Sequence, residues 1–237
     1  MKKYSLVTEL KNLIKLFKYT RQWKVNMVAG IMYLLLGVFM IFTGGYGPFI
    51  GGMWLVTFPS ITFSGLEQVY YSSYMNSSPK HKYYSLVLHP VLIGMMYLTG
   101  YIIAALTYAV KVIIIRTFDG FVVDIIMDMN ISFGIFFVFI GLLGMLFYIY
   151  SSISSKANVW FMIVFIVAFI LIYMGTILAL TYDEVKNMQL DFPVGVGFVI
   201  GLLLIILGIV VGTILRYALY KKPYSPMIKK VFVKLEK

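Results

Sequence analysis

The sequence predicts an all-α polytopic membrane protein with six transmembrane helices, an N-terminal amphipathic interfacial helix and both termini in the cytoplasm. Three observations lead there. Of the 237 residues, 61% are hydrophobic and only 12% charged, against about half apolar and about a quarter charged in a soluble domain. The apolar residues form six blocks, each near the roughly 20 residues that cross a hydrocarbon core. Finally, 17 of the 20 Lys and Arg residues fall on one side of the alternation those blocks create.

The blocks place spans at 26–43, 47–66, 86–110, 131–150, 158–181 and 193–220. With the N-terminus inside, the cytoplasmic segments are 1–25, 67–85, 151–157 and 216–237. They carry those 17 basic residues and leave only Lys111, Arg116 and Lys186 outside. Basic residues are retained on the cytoplasmic side, so the count decides the orientation. The net charge of +11 is therefore a topological signal, not a nucleic-acid footprint. A cell membrane is the expected location.

Segment 1–25 precedes the first span. Leu6, Val7, Leu10, Leu13, Ile14 and Phe17 fall within about 120° of a helical wheel. Lys11, Lys15 and Lys18 lie beside that stripe, toward the polar side. Such a helix rests in the membrane interface with its lysines near anionic headgroups, and a turn at "TRQWK" follows. The plainer alternative is a basic lead-in that only sets topology. The long basic stretch without a small-residue cleavage site is not that of a signal peptide.

The six-helix domain covers 26–220. Within it, the outer segment 111–130, "KVIIIRTFDGFVVDIIMDMN", mixes apolar triplets with Asp119, Asp124 and Asp128. It is expected to form short helices on or partly in the outer surface, since unpaired backbone cannot face lipid. A basic cytoplasmic tail, 221–237, closes the chain.

The last span carries Gly197, Gly201, Gly208 and Gly212, which fall within about 60° of one another on a helical wheel. They make a flat groove for another helix, either in this chain or in a second copy. Trp23, Trp54 and Trp160 suit an interfacial aromatic belt.

The chemistry available is narrow. With no cysteine, disulfides, thiolate metal sites and a cysteine nucleophile are excluded. Two histidines, His81 and His89, are too few for an ordinary histidine metal site. "TFSG" at 62–65 resembles the serine motif of intramembrane proteases, but Thr62 stands where that motif has Gly, and no base with an orienting acid is near. Ser64 is better read as helix packing. No acid sits mid-span, which argues against a proton-coupled carrier. No Gly-Lys pair occurs, so the phosphate-binding loop of an ATPase is absent. Glu67 and His89 lie near the predicted cytoplasmic boundary, as an ion pair or as two groups wetted by headgroups.

One polar knot interrupts the first half: "NSSPKHK" in loop 67–85. Asn and Ser before Pro79 can cap a short helix with the proline in its first turn, leaving Lys80 and Lys82 pointing into the cytoplasm. With the amphipathic lead-in, the six spans and the inside termini, this knot resembles the permease subunits of ABC exporters of the type-2 family. Their corresponding loop reads Leu-Pro, a small residue and basic residues; here "SSPKHKYYS" keeps Pro79 and the basic pair, with Ser78 in place of Leu. The resemblance implies a coupling element formed by Glu67, Asn76, Ser77, Ser78, Pro79, Lys80, His81 and Lys82, docking on a separate ATPase subunit. ATP and Mg would be bound by that partner, and two permease copies would pair. The lean, Lys-rich chain is also similar to Gram-positive exporters of amphipathic peptides such as phenol-soluble modulins. A solvated topogenic loop is the simpler reading of the knot. A membrane scaffold without an ATPase, or a secondary carrier, are the other functional classes.

Overall fold

The computed structural model describes residues 6–18, 20, 22–43, 47–71, 79–118, 123–154, 156, 159–181 and 193–221. Among them are seven helices: α1 (Leu6–Phe17), α2 (Trp23–Phe42), α3 (Gly47–Tyr71), α4 (81–118), α5 (Val123–Ile153), α6 (Val159–Thr181) and α7 (Val194–Leu219). Among the described residues, four helical stretches are long and apolar enough to cross a membrane: Trp23–Phe42, His81–Ile114, Phe133–Ile153 and Val194–Leu219.

Two tight helix pairs build the bundle, and glycine makes both possible. In the first, α2 lies along α3. A Cβ on Gly51 would stand 2.5 Å from the Gly37 carbonyl, and Gly30 faces Thr62. In the second, α7 lies along α5. Gly197 sits on the Gly134 backbone, Gly201 on Phe137 and Gly141, and a Cβ on Gly208 would stand 2.6 Å from the Met145 Cα. The glycine groove of the last span is thus filled from within the chain.

Helix α4 threads between the pairs, burying Leu88, Leu92, Tyr97, Tyr101 and Ala104. Pro59 stands inside α3 and cannot donate to the carbonyl four residues back. That carbonyl, Leu55 O, is approached by Gly100 of α4, where a Cβ would lie 2.8 Å away. Facing it, α5 buries Phe133, Phe136, Phe137, Phe139, Ile140, Leu143 and Tyr148. α6 is the outlying helix. It joins α5 through Phe147 against Phe165 and Phe169 and Tyr150 stacked on Phe165. Tyr173 also packs on Phe139, while Trp160, 74% exposed, Val164, Ile166, Ile170 and Leu171 form an exposed apolar face.

Two expectations are corrected. The outer segment 111–130 does not form separate short helices among the described residues: 111–118 finishes α4 and 123–130 opens α5. Asp124 and Asp128 fall within helical backbone at the start of α5. Lys111, for its part, donates to Ile41 O at 3.0 Å and Thr43 O at 3.3 Å, closing the last carbonyls of α2. The loop expected at 67–85 is also shorter. Residues 67–71 belong to α3, and α4 starts at His81, not at 86, so no separate helix follows Pro79. Apart from Lys221, the basic tail 221–237 lies outside the described residues.

Candidate functional site

The described half of the polar knot, Pro79–Lys82, lies where four parts of the chain converge. Its centre is the first turns of α4. Pro79 and Lys80 form the turn that leads in, and Lys80 takes the N-cap position without a side-chain cap bond.

Lys80 does not simply point away from the protein. Its Nζ is 3.0 Å from Glu9 Oε1 on α1, although 45% of its side chain stays exposed. The second carboxylate oxygen of Glu9 accepts a 2.6 Å hydrogen bond from the Tyr84 hydroxyl. Glu9 is 2% exposed, a position an acid tolerates only with such partners. The Tyr84 hydrogen bond, then the Lys80 hydrogen bond, hold its carboxyl below the usual carboxylate range against the opposing effect of burial.

This arrangement divides α1 into three sectors. Glu9, Leu13 and Phe17 face the bundle and are buried. Leu6, Val7 and Ile14 are exposed apolar residues, with Leu10 half-buried between them and the core. Lys11, Lys15 and Lys18 are exposed on the remaining arc. Protein, apolar surface and cations therefore follow one another around the helix. Thr20 closes α1, its Oγ1 donating to Phe17 O at 2.9 Å.

On its other side the start of α4 meets the end of α7. His81 Nδ1 lies 3.1 Å from the Tyr220 hydroxyl, and Lys156, between α5 and α6, donates to Tyr220 O with its ammonium over the Tyr220 ring. Arg216, 8% exposed, donates from Nε to Ser85 O at 2.8 Å. The end of the bundle that holds α1 thus also holds the C-terminal end of α7.

Of the expected coupling residues, Lys80 and His81 are joined to α1 and α7, while Pro79 and Lys82 are exposed. Asn76, Ser77, Ser78 and the Glu67 side chain lie outside the described residues, as does the proposed Glu67–His89 pairing. His89 is 4% exposed and packed inside the bundle, which corrects the reading of it as wetted by headgroups. Thr62 donates to Phe58 O at 2.7 Å and is buried. Among the described residues no three His, Asp or Glu gather as metal donors would.

Sequence reasoning passed over Glu9, Tyr84, Arg216, Lys156 and Tyr220. Glu9 had a signal: it is the one acid in a segment holding seven basic residues, four positions before Leu13 on the side away from the lysines. No family model, curated protein or solved structure matches the chain. What the arrangement can do is mechanical: Lys80 ties the turn before α4 to α1, and His81 ties the first residue of α4 to Tyr220 just beyond α7.

Proposed function

We propose that this chain is the transmembrane permease subunit of an ATP-driven exporter of the type-2 ABC family. In this reading the six long helices α2–α7 are the spans, both termini are cytoplasmic, and two copies work with two copies of a separate ATPase that binds ATP and Mg. Amphipathic or hydrophobic peptides are the substrate class, moved outward across a bacterial cell membrane.

One observation supports the reading above others. Two consecutive residues after Pro79 are bonded to opposite ends of the chain: Lys80 to Glu9 of α1 and His81 to Tyr220 just beyond α7. A push on the preceding loop would reach α1, α4 and α7 together, as a coupling element requires. Pro79 and Lys82, exposed on the same turn, are the surface a partner would touch.

The test is purification of the tagged chain from its native host in mild detergent. A Walker-motif ATPase should co-purify in about equal amount, and a Pro79→Ala/Lys82→Glu variant should lose it while remaining folded. If the chain is recovered alone, the exporter reading fails and the scaffold or secondary-carrier readings take its place.

A further inference from the structure

α4 is not α-helical throughout. Tyr84–Leu88 form a π turn in which the His89 amide donates to Tyr84 O, five residues back. In that register the next carbonyl, Ser85 O, would need the amide of residue 90. Residue 90 is a proline and has no N–H. The α-helical donor to Ser85 O would be the His89 amide, which is already given to Tyr84. Ser85 is buried, and a buried carbonyl without a donor is costly. Arg216 supplies the donor from outside the helix, Nε to Ser85 O at 2.8 Å.

The surroundings fit the guanidinium. Arg216 continues the buried face of α7 beyond Gly208 and Gly212. A Cβ on Gly212 would stand 2.8 Å from the Tyr148 ring, whose hydroxyl donates to Pro90 O at 3.2 Å. The glycine brings α7 close enough for Arg216 to reach a carbonyl inside α4.

We propose that Pro90 and Arg216 form a latch that holds the start of α4 in the π register, and that release of this latch is a conformational switch. In the α register the His89 amide would serve Ser85 O, and the bond from Arg216 would no longer be needed there. Residues ahead of the turn would rotate by about 100° and shift by about 1.5 Å along the axis. Lys80 would leave Glu9 and His81 would leave Tyr220. The π register wins at rest because the Pro90 ring would meet the Leu86 carbonyl in a regular α-helix. The latch is a property of this chain alone. On the exporter reading, on which its role in transport rests, this is where movement of the loop enters the bundle.

The test is a double-mutant cycle in detergent. Arg216→Ala in the native background should lower the melting temperature by roughly 5 °C, as for one orphaned buried carbonyl. In a Pro90→Ala background Ser85 O has an amide donor in either register, residue 90 in the π register and His89 in the α register, so Arg216→Ala should cost less than half as much. Additive effects would overturn the latch. If Arg216→Ala alone does not fold, Pro90→Ala/Arg216→Ala should recover monodisperse protein, and failure to recover it overturns the latch equally. The chain has no cysteine, so spin labels can be placed at Lys18→Cys and Lys82→Cys. The distance should be single and narrow with Arg216 present, with a second population in Arg216→Ala; an unchanged distribution overturns the register shift. Neither readout involves an ATPase, so its outcome is separate from that of the co-purification.

Discussion

Lys80 and Glu9 are 71 positions apart in sequence and meet at 3.0 Å, joining the turn before α4 to the helix that begins the described chain. Tyr84 reaches the same carboxylate from one turn further along α4. The carboxylate is nearly enclosed, so it acts as the fastening of α1 and not as a surface charge. Lys80, half in solvent, contributes less than its short distance suggests, since exposed ion pairs are worth at most about 1 kcal/mol.

That ranking can be measured. Tyr84→Phe removes a hydrogen bond to a charged acceptor and keeps the ring, and should cost roughly 2 kcal/mol. Lys80→Met should cost less, because one partner was solvated already. Chemical or thermal denaturation of the two variants orders them, and an equal or reversed order would contradict the account.

On the acid side the fastening follows Glu9. The folded Glu9 carboxyl lies below its ordinary value of 4.5, so its stabilisation is fully present above that value. It is lost as pH falls through the lower folded value. Docking of α1, followed through an environment-sensitive label at Lys18→Cys, should hold from neutral pH down to about 5 and loosen below the ordinary carboxylate range. Glu9→Gln should abolish the acid step.

The glycine faces predict a sharp contrast. Gly197→Ala and Gly201→Ala place a methyl group on the backbone of α5 and should cost on the order of 3 kcal/mol. Gly195, two residues from the first, has open space around its Cβ position. Gly195→Ala should be neutral or slightly stabilising, since alanine favours a helix. Size-exclusion profiles of the three in detergent check this. Dissociation of a dimer without loss of the fold in Gly197→Ala would show that the face serves a second copy.

At the opposite end, Lys111→Met removes the donor from the last carbonyls of α2. A loss of about 1–2 kcal/mol is expected, with faster amide exchange confined to the end of α2. Exchange spread evenly over the bundle would mean that Lys111 caps nothing.

Much of the architecture was legible in the residues. Composition marks a membrane protein, and the runs around 26–43, 131–150 and 193–220 coincide with described helices because each holds an uninterrupted apolar stretch between polar flanks. The amphipathic stripe of α1 was legible for the same reason. The limits of α4 and α5 were not, because the charged residues in 111–130 suggested breaks where the helices run on through Lys111, Asp124 and Asp128. The π turn had no periodic signature either; His-Pro at 89–90 was its only trace.

By itself the sequence determined that the chain is helical, that it belongs in a membrane, and which faces of α1 and α7 are apolar or small. Those properties follow from local composition and from a helical period that needs no partner. Only the tertiary structure decided that the glycine face of α7 is filled by α5, that Glu9 fastens Lys80 and Tyr84, and that Arg216 serves the carbonyl Pro90 leaves unpaired. Each joins residues far apart in sequence, and their meeting is set by how the helices pack. A glycine stripe or a lone arginine carries no mark of the helix that will face it.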